Sequence, residues 1–236
     1  KADQLGVTRL NNVMSQIDMA KSHDDIATVM GELYALGVAG PMGFYVNNDA
    51  KQSDQYAIYL YQSGLGLPDR DYYSKDDEKS QEHRAAYVVY MTDMLTMAGV
   101  ADAKAAAERI LALETQLADK QWTRVESRDA NKRYNKYSKA EFGTYMGGFS
   151  WANYAQAIGL DKVEHVIASQ NTYMQAFGEM FQNVELATWK EYFKKQLLTE
   201  YAGRLSKEFS ERNFAFYGTQ LRGIEEQRPR WKRAVA

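Results

Sequence analysis

The sequence predicts a mainly α fold, a multi-helix domain with a small β-hairpin near its N-terminus. Three observations carry this. Apolar residues recur at helical spacing through most of the chain. Only 3 of the 236 residues are proline, so few positions force a helix to stop. One segment near the start alternates with a period of two instead, between polar and glycine-rich stretches.

In chain order, Ser22-His23-Asp24-Asp25 reads as a capped helix start, a serine followed three residues later by an acid. Ile26, Val29, Leu33 and Leu36 then form a stripe, and Gly37 is the expected stop. The hairpin, at about 41–62, has Met42 to Val46 as one arm and Tyr56 to Gln62 as the other, with Asn47 to Asp54 as its loop. Tyr56, Ile58 and Leu60 are expected on one face and Ala57, Tyr59 and Tyr61 on the other. The run Gly64-Leu65-Gly66-Leu67-Pro68-Asp69-Arg70-Asp71-Tyr72-Tyr73 reverses the chain, since glycine tolerates positive φ and Pro68 fixes its own.

Beyond it the pattern is helical. Tyr87, Met91, Met94 and Ala98 form a stripe ended by Gly99, and Ala106, Ile110, Leu113 and Leu117 form the next. Ser138-Lys139-Ala140-Glu141 is a second capping box, and Ser150 before Trp151 starts a short helix. Tyr173, Phe177, Met180 and Val184 repeat the spacing, as do Trp189, Phe193, Leu197 and Tyr201, with a break at Gly203. Phe209, Phe214 and Phe216 are expected to pack near the following helix end. Arg228-Pro229-Arg230-Trp231 opens a last helix that the chain leaves short, so the natural polypeptide is expected to continue past Ala236. No repeat and no Pro, Gly or Ser-rich linker divides the chain, which reads as a single helical lobe over 1–236.

Composition narrows the function classes. A net charge of −2 argues against a nucleic-acid partner. Without cysteine, thiolate metal sites and cysteine nucleophiles are excluded within this chain. No apolar run reaches the ~20 residues of a membrane span, so no membrane contact by this segment is expected.

Motifs of chemistry are scarce. His23, His83 and His165 stand outside any His-Glu-x-x-His pattern, which sets two zinc ligands one helical turn apart. Glu82-His83 and Glu164-His165 are isolated pairs and read as surface or helix-end residues. Asp69 and Asp71 read as groups that orient the turn, cap the next helix or pair with Arg70. Gly147-Gly148 reads as a turn, because no strand feeds it as a phosphate loop requires. The stretch Ser127 to Tyr137 reads as a polar connection, and Arg228 to Arg233 as a solvated or interdomain helix start. The tyrosines and tryptophans fall on helical stripes and read as core. No residue is put forward as catalytic, cofactor-binding or metal-ligating.

Three segments in order carry a resemblance. They are Tyr59-Leu60-Tyr61-Gln62-Ser63-Gly64 through Tyr73; Arg128-Asp129 with Tyr134-Asn135 before the Ser138 helix; and Phe214-Ala215-Phe216-Tyr217-Gly218-Thr219 followed by Gln227 to Arg233. Together they resemble the neprilysin-like zinc metalloendopeptidases, of the bacterial endopeptidase O type. Ala130 stands where that family usually has proline, and Lys136-Tyr137 also departs from it. The resemblance implies two lobes around an internal cavity, with this chain as most of the helical lobe. It implies zinc in the parent protein and none bound by this chain, peptide substrates, and the missing zinc-binding lobe of the same polypeptide as partner. It also implies an extracytoplasmic location, periplasmic, secreted or membrane-anchored. The alternative is a free-standing, non-catalytic helical module that binds a peptide or protein in a groove.

Overall fold

The computed structural model describes residues 2–234. Four short or medium elements precede the sheet: α1 (Ala2–Leu5), a 3₁₀ turn (Thr8–Leu10), α2 (Asn11–Met19) and α3 (His23–Ala35). The Ser22 box forms as expected: its hydroxyl accepts from the Asp25 N–H, and the Asp25 carboxylate accepts from the Ser22 N–H. Ile26, Val29 and Leu33 are buried, and Gly37 ends the helix at φ +81°. Leu36 departs from the expected stripe: it is the C-cap and 45% exposed, because the helix has already ended.

Strands β1 (Met42–Asp49) and β2 (Gln52–Gln62) form the hairpin. The arms are longer than predicted, and the expected loop from Asn47 to Asp54 is mostly ladder. Backbone pairing extends through polar residues that, Asp49 apart, are exposed, so composition marked the exposed end rather than the turn. The sheet is larger than a hairpin. It has four strands in the order β1-β2-β4-β3, with β3 (Lys136–Ser138) and β4 (His165–Ala168) arriving from far along the chain. β4 lies parallel to β2 and antiparallel to β3. As a central strand β2 is covered on both faces at Ile58, Tyr59 and Leu60. The outer edge of β1 is closed at Phe44, where the Tyr34 hydroxyl donates to the carbonyl (2.7 Å) and accepts from the N–H (3.1 Å). Such capping limits edge-to-edge pairing with other chains.

Helices α4 (Asp71–Ser74), α5 (Glu78–Met97) and α6 (Ala103–Lys120) follow the turn, and α5 packs along α6. Their predicted stripes are buried at Tyr87, Met91 and Met94, and at Ala106, Ile110, Leu113 and Leu117. After β3 come α7 (Lys139–Tyr145), α8 (Trp151–Ala157), β4 and α9 (Asn171–Phe181). The Ser138–Glu141 box forms. Ser150 precedes α8 but its side chain makes no cap hydrogen bond. Val184 lies beyond the end of α9, outside the predicted stripe. Gly178 lets α9 meet the chain end of α7: an added Cβ there would stand 1.7 Å from the Met146 carbonyl oxygen.

Helix α10 (Leu186–Tyr201) touches α2, α3, α5 and α6. That central position explains why it buries Trp189, Tyr192, Phe193, Leu197 and Leu198 together with the polar Lys195 and Gln196. A 3₁₀ turn (Ala202–Arg204) carries the break expected near Gly203. After α11 (Lys207–Phe214) the chain widens into a π-helix over Ala215–Gln220, a form that occurs mainly as short insertions. Phe216 is wholly buried there and stacks 4.9 Å from Tyr90. Phe209 is buried as predicted; Phe214 is only partly so and closes over Gly218. The last helix, α12 (Arg230–Ala234), begins within the predicted segment.

Candidate functional site

The Gly64–Tyr73 run is organised around a buried carboxylate. Glu114, wholly buried on α6, accepts from the Gly66 N–H (3.0 Å), the Tyr73 hydroxyl (2.6 Å) and the Tyr87 hydroxyl (3.0 Å). Lys195 of α10, also wholly buried, donates to the same carboxylate at 2.6 Å and to Gln196 at 2.7 Å. The Leu67 N–H donates to the Tyr73 hydroxyl at 2.9 Å. A charge taken out of water is tolerated only when such donors surround it. Burial, followed by the Glu114 charge, pushes the Tyr73 and Tyr87 phenols well above their ordinary pKa, so both remain donors. Burial pulls the Lys195 ammonium down, and Glu114 opposes that pull.

The glycines in the run have steric reasons. Gly64 has φ +91° and its carbonyl accepts from the Tyr192 hydroxyl at 2.7 Å. A Cβ on Gly66 would fall 1.8 Å from the Tyr87 hydroxyl oxygen. The distinctive sequence is thus a loop fitted to an ion pair, which no local pattern revealed. Glu114 sits beside Leu113 on an otherwise apolar stripe, and that misplaced charge was the available signal.

Beside the turn lies a cleft of about 270 Å³, lined among others by Gln62, Pro68, Arg70, Gln121, Trp122 and Arg124. Its walls are tied together. Gln62 donates to the Trp122 carbonyl and accepts from the Trp122 N–H, both at 2.8 Å, and Gln121 donates to the Ser63 carbonyl at 2.9 Å. Asp69 accepts from the Asp71 N–H at 3.0 Å and pairs with Arg124; Asp71 pairs with Lys75 at 3.1 Å. Both acids therefore orient the turn, as expected, but neither pairs with Arg70. The Arg70 carbonyl accepts from the Tyr73 N–H at 3.0 Å, but among the described residues its guanidinium has no ion pair or hydrogen bond, and its Nε is buried without a partner.

The stretch Ser127 to Tyr137 is more than a polar connection. Its Tyr134 hydroxyl and Lys136 ammonium converge on Asp49 at 2.7 and 2.8 Å, clasping the far end of the hairpin. Asp49 is 1% exposed. The Lys136 contact first, then the Lys51 N–H, with a contribution from Tyr134, hold its carboxyl far below the usual aspartate value. Asn135 donates to the Ala168 carbonyl at 3.1 Å, holding the stretch to β4.

The histidines have separate surroundings. His23 Nε2 lies 2.8 Å from the Val184 carbonyl oxygen, and its ring meets Phe181 edge-on. His83 packs on Tyr72 with ring centres 5.4 Å apart. His165 starts β4 opposite Ser138. Among the described residues, no group of three or more His, Cys, Asp or Glu converges as a metal would need. The described residues do not fit a zinc site. Gly147, at φ +58°, and Gly148 form a turn against α9. In the terminal basic segment Arg230 donates to the Arg204 and Leu205 carbonyls (3.2 and 3.1 Å), while Trp231 is 67% exposed. Among the described residues no helix is long and apolar enough to cross a membrane.

The family model described as Peptidase family M13 matches residues 1–236. Endothelin-converting enzyme 1 of Mus musculus is 28% identical over 203 residues, which cover 81% of this chain and 26% of that protein. The chain therefore spans about a quarter of the length of such relatives. The Mycobacterium tuberculosis zinc metalloprotease Zmp1, solved in complex with an inhibitor, superposes with a TM-score of 0.94 at 33% identity, over 99% of this chain and 36% of that one. PepO from Lactobacillus rhamnosis HN001 shares the fold, with a TM-score of 0.80 at 20% identity over 99% of this chain and 37% of that one. A family match along the whole length means that the chain belongs to peptidase family M13, the family of neprilysin-like zinc metalloendopeptidases, and forms its N-terminal part.

Proposed function

We propose that residues 1–236 form one helical lobe that closes the substrate cavity of a zinc endopeptidase acting on short peptides. The rest of the enzyme, on the same polypeptide, supplies the zinc ligands. The observation that carries this reading is the superposition on Zmp1: 99% of this chain matches only 36% of that protease. The separate settings of His23, His83 and His165 agree with a division of labour in which this lobe encloses and selects while the other performs the chemistry. In such enzymes a bound zinc polarises the scissile carbonyl and activates water; nothing in this chain is assigned to that step. An extracytoplasmic location belongs to the same proposal.

The test compares this chain alone with the longer polypeptide from its reading frame, using a quenched fluorescent peptide with zinc and with a chelator. Cleavage by the longer protein only, abolished by the chelator, is the expected result. Zinc-dependent cleavage by residues 1–236 alone would overturn the division of labour. A longer protein that binds but does not cut peptides would favour a non-catalytic binding module. Fractionation of the source cells checks the location.

A further inference from the structure

We propose that the cleft beside the Gly64–Tyr73 turn is a carboxylate-recognition subsite in which Arg70 and Arg124 hold an acidic group of a peptide. The inference rests on the peptidase reading above and adds a substrate preference to it.

A guanidinium is always charged and carries five N–H donors in a rigid fork. Arg70 is half-buried, and its Nε is fully buried with no acceptor among the described residues. Buried donors left without acceptors are costly and uncommon in native proteins. An acceptor supplied from outside the chain resolves that deficit. The nearby acids do not do so. Glu126 stands within electrostatic reach of Arg70, but its carboxylate accepts from the Thr123 N–H and hydroxyl, both at 2.8 Å. Asp69 is engaged by Arg124 and by the Asp71 N–H.

The cleft around Arg70 suits a small planar anion. Its volume is about 270 Å³, and Arg70, Arg124 and Ser127 offer donors on its walls. Arg124 is 73% exposed in its side chain, so it can turn from Asp69 towards a ligand without disturbing the core. Two guanidinium groups matched to one carboxylate give bidentate, charge-assisted hydrogen bonds, roughly twice as strong as neutral ones. Trp122, on the cleft wall with its indole N–H donating to Thr172 at 2.6 Å, provides a flat apolar surface for the rest of the ligand and an optical reporter. The floor is rigid, because the turn beneath it is held by Glu114 and Lys195.

The experiment titrates this chain with three short peptides while following tryptophan fluorescence and calorimetric heat. One has a glutamate side chain and an amidated C-terminus; one has a neutral side chain and a free C-terminus; one is neutral and amidated. Binding of either acidic peptide at least tenfold tighter than the neutral one, weakening with salt, is expected, and the stronger of the two identifies the source of the carboxylate. Arg70→Gln should lower that affinity at least tenfold and Arg124→Gln by a smaller factor. Equal affinity for all three peptides, or unchanged affinity in a folded Arg70→Gln protein, overturns the proposal. Should Arg70→Gln not fold, the peptide comparison on the unmodified chain and the exposed Arg124→Gln variant still decide it. The longer polypeptide is titrated in parallel. If it cleaves peptides but shows no acidic preference, the subsite fails while the peptidase reading stands. If the isolated chain binds acidic peptides and the longer one does not, the rest of the polypeptide fills the cleft and the substrate assignment fails.

Discussion

The Lys195 ammonium lies 2.6 Å from a Glu114 carboxylate oxygen, and both side chains are wholly buried. They are brought together by the packing of α6 against α10, and they hold the turn that lines the cleft. Lys195 also stands over the rings of Tyr192 (5.2 Å) and Tyr87 (5.6 Å), which adds cation–π attraction in a site without water competition.

Removing one partner leaves the other charge uncompensated. Lys195→Met is expected to cost about 3–5 kcal/mol of stability. The double variant Glu114→Gln with Lys195→Met removes both charges and keeps an acceptor for Tyr73 and Gly66, so it should recover more than half of that loss. Denaturant unfolding of the wild type, both single variants and the double variant measures the coupling. Additive losses would show that the pair does not act as a unit.

Glycine positions separate steric need from backbone preference. At Gly178 an added Cβ meets the Met146 carbonyl, a backbone atom that cannot step aside. Gly178→Ala should therefore cost about 3 kcal/mol, at the upper end of overpacking losses. Gly99 has φ +76° but open space around it. Gly99→Ala should cost only about 1–2 kcal/mol, the left-handed penalty. Equal thermal midpoints for the two variants would contradict this account of the α7–α9 contact.

Asp49 sets an acid-sensitive clasp. Its folded carboxyl titrates below the ordinary value of 3.8, so its contribution is present above that value and is lost as pH falls through and below it. Asp49→Asn should be less stable than wild type at neutral pH, and the gap should shrink as the pH drops below about 4. Unfolding midpoints of both proteins from pH 7 to pH 3 test this. A gap that stays constant across the range would remove Asp49 from the acid response.

The Tyr34 hydroxyl guards the β1 edge at Phe44. Tyr34→Phe leaves the Phe44 N–H and carbonyl without their partner. A loss of about 1 kcal/mol follows, with faster hydrogen exchange at the Phe44 amide. Unchanged exchange there would mean that the edge is protected by something else.

Much of the helical architecture was legible because its causes are local. Ser22 with Asp25, and Ser138 with Glu141, lie within one helical turn of each other, and their hydrogen bonds depend on little else. The stripes through Tyr87 and through Ile110 turned inward because burial follows the helical period. The misses have distant causes. β3 and β4 are short segments that become strands only by pairing with one another and with β2. Of the alternatives open for Asp69, the fold takes the turn-orienting one and pairs it with Arg124, not Arg70, a choice no local pattern gives.

The sequence by itself determined most of the helices, the Ser22 and Ser138 caps, the hairpin and, through the Gly64–Tyr73 run and its companions, the family. Only the tertiary structure decided what that run is for within the fold: a turn laid over Glu114 and Lys195, with Arg70 left facing a cleft without a partner. The physical reason is range. Capping and periodicity act over a few residues, whereas a buried charge acquires its partner from another helix, and the donors left over are known only when every neighbour is in place.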